Sequence, residues 1–165
     1  MIPLEQNIEN AFRSYAELEL RRHKMLSEEI DEGHEAEDIE AQMDLLWEKL
    51  DEAQRQKIKG MGSDLNWVRR NGALPPNGNN DPSDVSEKDK KELLELIKSN
   101  DWEKLLRTLR ICAPVLEKPT LAYFRGECYS GLNFPEYAAI FYKKAIDFLP
   151  TSHYEIHLHD STAKS

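Results

Sequence analysis

The segment 120–150, TLAYFRGECYSGLNFPEYAAIFYKKAIDFLP, reads as two short amphipathic helices, 120–131 and 135–149, folded back on each other. Pro135 suits the first turn of a helix, where the backbone N–H has no intrahelical acceptor in any case. Asn133, just ahead of it, tolerates the backbone reversal of a tight turn. Along the second helix Tyr137, Ala138, Phe141, Tyr142, Ala145 and Phe148 recur at three- and four-residue spacing and make one apolar face. Small residues at Gly126, Ala138 and Ala145 predict a close approach of the two helices, with Tyr129 and Tyr142 filling the gap. An aromatic stripe of this kind reads as core, since large aromatics are mostly buried.

These residues resemble the tetratricopeptide repeat, a helix-turn-helix unit whose copies stack into a solenoid. With Pro119 opening the unit, Gly126, Tyr129, Ala138, Tyr142, Ala145 and Pro150 fall at the family's signature offsets. Ala122 and Arg125 depart from it, standing where the family has a large aromatic and a leucine, and Pro135 lies just inside the second helix. Upstream, Ser86 and Asp89 have the form of a capping box that opens a helix through Leu93, Leu94, Leu96 and Ile97. Asn100-Asp101 turns the chain into a further helix carrying Trp102, Leu105, Leu106, Leu109, Cys112 and Ala113, closed or kinked at Pro114. Counted from Ser86, Leu93, Leu96, Leu105, Leu109 and Cys112 are apolar in the repeat's register but off its consensus. Residues 86–152 are therefore expected to be two tetratricopeptide-like helix pairs.

The N-terminal half carries no such resemblance. Residues 4–31 are expected to form one long helix with Ile8, Ala11, Phe12, Tyr15, Leu18, Arg22, Met25 and Leu26 along a narrow seam, capped at Gly33. A second, about 36–59, carries Ile39, Met43, Leu46, Leu50 and Ala53 at heptad-like spacing and ends at Gly60. The product is an antiparallel helical hairpin. A two-helix unit of this length buries little core by itself, so half of an intermolecular bundle, hence a homodimer, is an alternative.

Residues 57–72, KIKGMGSDLNWVRRNG, form a compact connector with a short helical turn at Trp67 and Val68 and a stop at Asn71-Gly72. Together with Arg55, the residues Lys57, Lys59, Arg69 and Arg70 make it the one basic patch on an acidic chain. Two readings are open: an anion site in which Trp67 stacks and the arginines supply forked donors, or a Trp67 plug in the hairpin's open end with the cations on helix C-termini. Residues 73–85, with Pro75-Pro76 and Asn77-Gly78, read as a linker. This gives four segments: 1–72, 73–85, 86–152 and a tail, 153–165.

The chain has 165 residues, 32% of them charged, and a formal net charge of −9, with a mean hydropathy of −0.70. Such a balance weighs against nucleic-acid binding, which draws on clustered Lys and Arg. No apolar run approaches the length of a membrane span and the N-terminus lacks the order of a signal peptide, so a cytoplasmic protein is expected. Cys112 and Cys128 sit on apolar helix faces and read as small buried hydrophobes. His153, His157 and His159 in the tail lack a cysteine or scaffold that would make them a metal site; Tyr154, Ile156 and Leu158 beside them are expected to cap the last helix pair.

No phosphate-binding glycine loop, metal helix motif or nucleophile turn is present, so an enzyme and a cofactor are not expected. The resemblance implies a protein-interaction module, an adaptor or accessory subunit. In the family the first helices of successive units line a groove for a peptide or partner helix. Carried over by position, that groove takes Lys90, Leu94, Ile97, Lys98, Tyr123, Glu127 and Ser130. The rival expectation is a regulator that contacts an anion or nucleic acid through Lys57, Lys59, Trp67, Arg69 and Arg70.

Overall fold

A computed structural model describes residues 4–28, 33–75 and 81–149, with side chains from residue 9 onward. The tail, with its three histidines, lies outside the described residues. All regular structure among those described is helical: α1 Leu4–Ser27, α2 Gly33–Trp47, α3 Glu52–Arg69, α4 Glu87–Ile97, α5 Trp102–Cys112, α6 Lys118–Gly131 and α7 Pro135–Asp147. Single 3-10 turns occur at Pro82–Asp84 and Ala113–Val115. The chain forms two compact units, one through Ala73 and one from Leu74.

In the first unit α1 packs on both α2 and α3. Leu18 and Met25 of α1 meet Ile39 and Met43 of α2, with Tyr15, Ala36 and Leu46 packed around them. A second stripe on α1, Phe12, Ala16, Glu19 and His23, is also buried, at spacings of four, three and four. It turns toward α3, where Glu19 abuts Gly62 and His23 meets Arg69.

The expected two-helix hairpin is thus a three-helix unit, and the expected helix over 36–59 is two helices. The break is chemical. Asp51 accepts from the Gln54 backbone N–H at 2.8 Å while the Gln54 side chain accepts from the Asp51 N–H at 3.2 Å, a reciprocal cap that starts α3 afresh. Leu50, buried in the intervening turn, anchors the bend. Nor does Gly60 end the helix. Each glycine inside a helix costs about 1 kcal/mol relative to alanine, but burial of Ile58, Met61, Leu65 and Trp67 on α3 outweighs this. The connector expected over 57–72 is therefore the body of α3 through Arg69 and the turn that follows it. Its stop at Asn71-Gly72 is real: Asn71 takes φ 56° and Gly72 donates to the Trp67 carbonyl at 2.9 Å. The first helix ends at Ser27 rather than 31, and Gly33, with φ 38°, opens α2 rather than closing α1.

In the second unit α5 packs on α4 and on α6, and α6 packs on α7. Ser86 accepts from the Asp89 N–H at 3.0 Å and Asp101 from the Lys104 N–H at 3.3 Å, fixing the starts of α4 and α5. The α6–α7 turn is made by Asn133 at φ 65°, with the Phe134 N–H returning to the Tyr129 carbonyl at 2.8 Å. A Cβ at Gly126 would stand 2.8 Å from the Tyr142 ring, so the two helices approach as closely as they do only because that atom is missing. One turn along, Tyr129 stacks on Phe141 with centroids 5.2 Å apart and planes 9° off parallel, and on Tyr137 at the same separation. Ala122 and Arg125, off the repeat's pattern, are both buried.

Gly126→Ala should destabilise the second unit by about 1–3 kcal/mol, because the added methyl overpacks a closed contact. Asp51→Ala should cost the first unit about 1 kcal/mol through loss of its cap. Urea unfolding followed by helicity, with each variant against wild type, checks both; an unchanged midpoint for Gly126→Ala contradicts the close approach.

Candidate functional site

Of the seven expected groove positions, Lys90, Leu94 and Ile97 lie on α4, Lys98 caps its C-terminal end, and the other three lie on α6; both helices pack on α5. On α4, Leu94 is 64% exposed, Ile97 is half-buried, Lys98 is exposed, and Lys90 pairs with Glu87 at 3.1 Å. Leu93 and Leu96 face inward, so the helix keeps an apolar residue on its outer side that its own core does not need.

On α6, Tyr123, Glu127 and Ser130 converge on one residue of α7, Tyr142. The Tyr142 hydroxyl donates to Glu127 Oε1, Ser130 hydrogen-bonds the same phenol, and the Tyr123 ring lies 6.0 Å from the Tyr142 ring. Burial first, and then the Glu127 carboxylate, push the Tyr142 phenol up to about 12. Tyr123 itself is 47% exposed and also meets Phe124 edge-on at 5.3 Å. The three expected positions on α6 thus form an ordered polar and aromatic surface, held from behind by the ring that covers Gly126. Spacing along one helix carries no sign of this link, because Glu127 and Tyr142 meet only when two helices pack.

The basic positions are scattered. Trp67 is 5% exposed, so its ring is inside the first unit rather than available for stacking at the surface. Arg69 is half-buried and donates to His23 Nδ1 at 2.8 Å and to Asn66 at 3.4 Å. Lys57 and Arg70 are exposed. Lys59 sits 5.9 Å over the Trp47 ring, and Arg55 lies over the same ring at 5.2 Å while donating to the Trp47 carbonyl at 2.9 Å. Burial lowers the pKa of the Arg69 guanidinium. Arg55 and Lys59 thus join α3 to the end of α2, and Arg69 joins it to α1.

Cys112 and Cys128 are free and buried, and the Cys112 thiol, pushed up by burial, donates to the Asp89 carbonyl at 3.7 Å. Among the described residues no group of three or more His, Cys, Asp or Glu side chains could hold a metal ion, and no helix is long and apolar enough to cross a membrane. The sequence reading did not single out the polar pair Glu19 and His23 inside the first unit, nor the exposed Leu45, Ile111 and Ile146. In comparisons with known families, curated proteins and solved structures, the chain matches none.

The high phenol pKa has a sign that can be measured. Between pH 10 and 12 the unfolded chain has lost the Tyr142 proton and the folded chain keeps it, so stability falls as pH rises through that window. Absorbance titration should find a tyrosine ionising near pH 12 that is missing from Tyr142→Phe. If the variant's titration curve retains that last step, the step does not belong to Tyr142 and its phenol is not held up.

Proposed function

We propose that the chain is a non-enzymatic protein-interaction module whose second unit is built of two tetratricopeptide-like helix pairs, α4–α5 and α6–α7, and receives a peptide or partner helix on α4 and α6. The observation that carries this reading is the outward exposure of Leu94 and Tyr123 on the first helices of the two pairs. Singly exposed apolar side chains are common, but here they stand at expected groove positions on the first helices of two successive pairs, and one aromatic anchor can dominate an interface. Lys98 beside Leu94, and Glu127 and Ser130 beside Tyr123, supply a polar rim. The order of packing, each helix on the next, is that of a helical repeat, and Gly126 under Tyr142 supports the repeat's own device for close approach. The burial of Trp67 and the engagement of Arg69 weigh against the anion-binding alternative.

The test is affinity purification with the full chain against a Lys90→Glu, Leu94→Asp, Tyr123→Ala variant of unchanged helicity. Loss of the aromatic anchor should lower recovery of a specific partner about tenfold or more. Equal recovery by both chains rejects the groove.

A further inference from the structure

The α1–α3 seam holds a polar contact that the interaction surface does not use. His23, 5% exposed, lies in the buried stripe of α1, and the last residue of α3, Arg69, donates Nη1 to its Nδ1 at 2.8 Å. A guanidinium has donors and no acceptor. Nδ1 must therefore present its lone pair, the ring proton sits on Nε2 facing Ser27 Oγ at 3.5 Å, and the imidazole in this contact is neutral. A proton on Nδ1 would abolish the acceptor and leave imidazolium against guanidinium in a partly dehydrated seam.

The surrounding charges do not offset that repulsion. On α1, Glu19 is one turn away, but it takes the Arg22 guanidinium at 3.2 Å and also favours the charged form of Arg69. It is wedged against Gly62 as well, its Oε1 within 2.9 Å of where a Cβ there would stand. Lys24, next to His23, adds a second cation acting on the ring. On α3, Asn66 steadies Arg69 through its side-chain carbonyl, and the helix also carries the fully buried Asp64; the charges that act on the His23 ring are those of Arg69 and Lys24. On α2, charges facing α1 include Glu35, paired with Arg21 at the exposed surface, Glu40, beside Arg22 in a small cleft with Met25, Leu26 and Ala36, and Asp44, which acts on Tyr15.

The geometry points to an acid-opened latch in the first unit: protonation of His23 releases Arg69, and with it the last turn of α3, from α1. Beyond Arg69 the chain reverses through Asn71 and Gly72, and the backbone bonds Arg70 to Asn66, Asn71 to Val68 and Gly72 to Trp67 report on whether that turn is closed. Burial first, then Arg69 and Lys24, hold the His23 ring down to about 4 in the closed seam. An opened ring in water titrates near 6.5. Between those values the opened state binds more protons, so the latch is closed above pH 6.5 and weakens as pH falls toward 4.

The experiment is amide hydrogen exchange on the full chain at pH 7 and pH 5, corrected for intrinsic rates, together with NMR titration of the His23 ring. Protection of the Arg70, Asn71 and Gly72 amides should fall roughly 20-fold over that interval, the ratio set by ring pKa values of about 4 closed and about 6.5 open. The Arg55 amide at the other end of α3 should hold. His23→Gln, which keeps a neutral acceptor for Arg69, should show no such fall. Should that variant not fold, Arg69→Met provides the second arm, and the His23 midpoint should rise once the cation is gone. An equal fall in wild type and His23→Gln, a wild-type His23 midpoint near 6.5, or a midpoint unmoved in Arg69→Met overturns the latch.

Discussion

The Tyr142 ring lies on the bare backbone of Gly126, and the spacing of α6 and α7 follows from it. With that distance set, Tyr129 can stack between Tyr137 and Phe141, and the Asn133 turn can close the pair with its backbone bonds intact. The same ring offers its hydroxyl to Glu127 and lies tilted against Tyr123. One contact thus serves two ends: it closes the interior and orders the outer face of α6. Dispersion and burial drive the first, and a charge-assisted hydrogen bond the second.

The first unit solves a different problem. Three helices with modest apolar content must bury enough surface to stay together, and α1 does this by showing one face to α2 and another to α3. The α2 face is apolar, with Tyr15 meeting Trp47 beside its aliphatic side chains. The α3 face includes Glu19 and His23, whose polar atoms are answered by Arg22 and Arg69. Buried polar groups persist where each finds a partner, and they make the seam sensitive to the protonation of its members. Of the cations that look like a basic patch in the sequence, Arg69 answers His23, and Arg55 and Lys59 cover Trp47.

An interaction role fits this division of labour. In the second unit Leu94 and Tyr123 stand in water on helices whose inner faces are already full, so they are available at little cost to the fold. The polar residues around them are partly prearranged, Lys90 by Glu87 and Glu127 by Tyr142, and a surface ordered in advance loses less entropy when a partner arrives.

Local chemistry in the sequence determined the all-helical character, the paired helices of the C-terminal half with their turns at Ser86, Asp101 and Asn133, and the close approach at Gly126. Caps, turn residues and the spacing of apolar side chains act within a few residues and can be read from order alone. The N-terminal half was less legible for a physical reason. The heptad-like run through Ile39, Met43, Leu46 and Leu50 continues across the Asp51 cap, and Gly60 and Gly62 look like helix ends until burial of Met61, Leu65 and Trp67 against neighbours outweighs their cost. Only tertiary packing decided that α3 exists as one helix, that Trp67 is interior, and that His23 meets Arg69 and Tyr142 meets Glu127, because each of these contacts joins residues that share no helical turn.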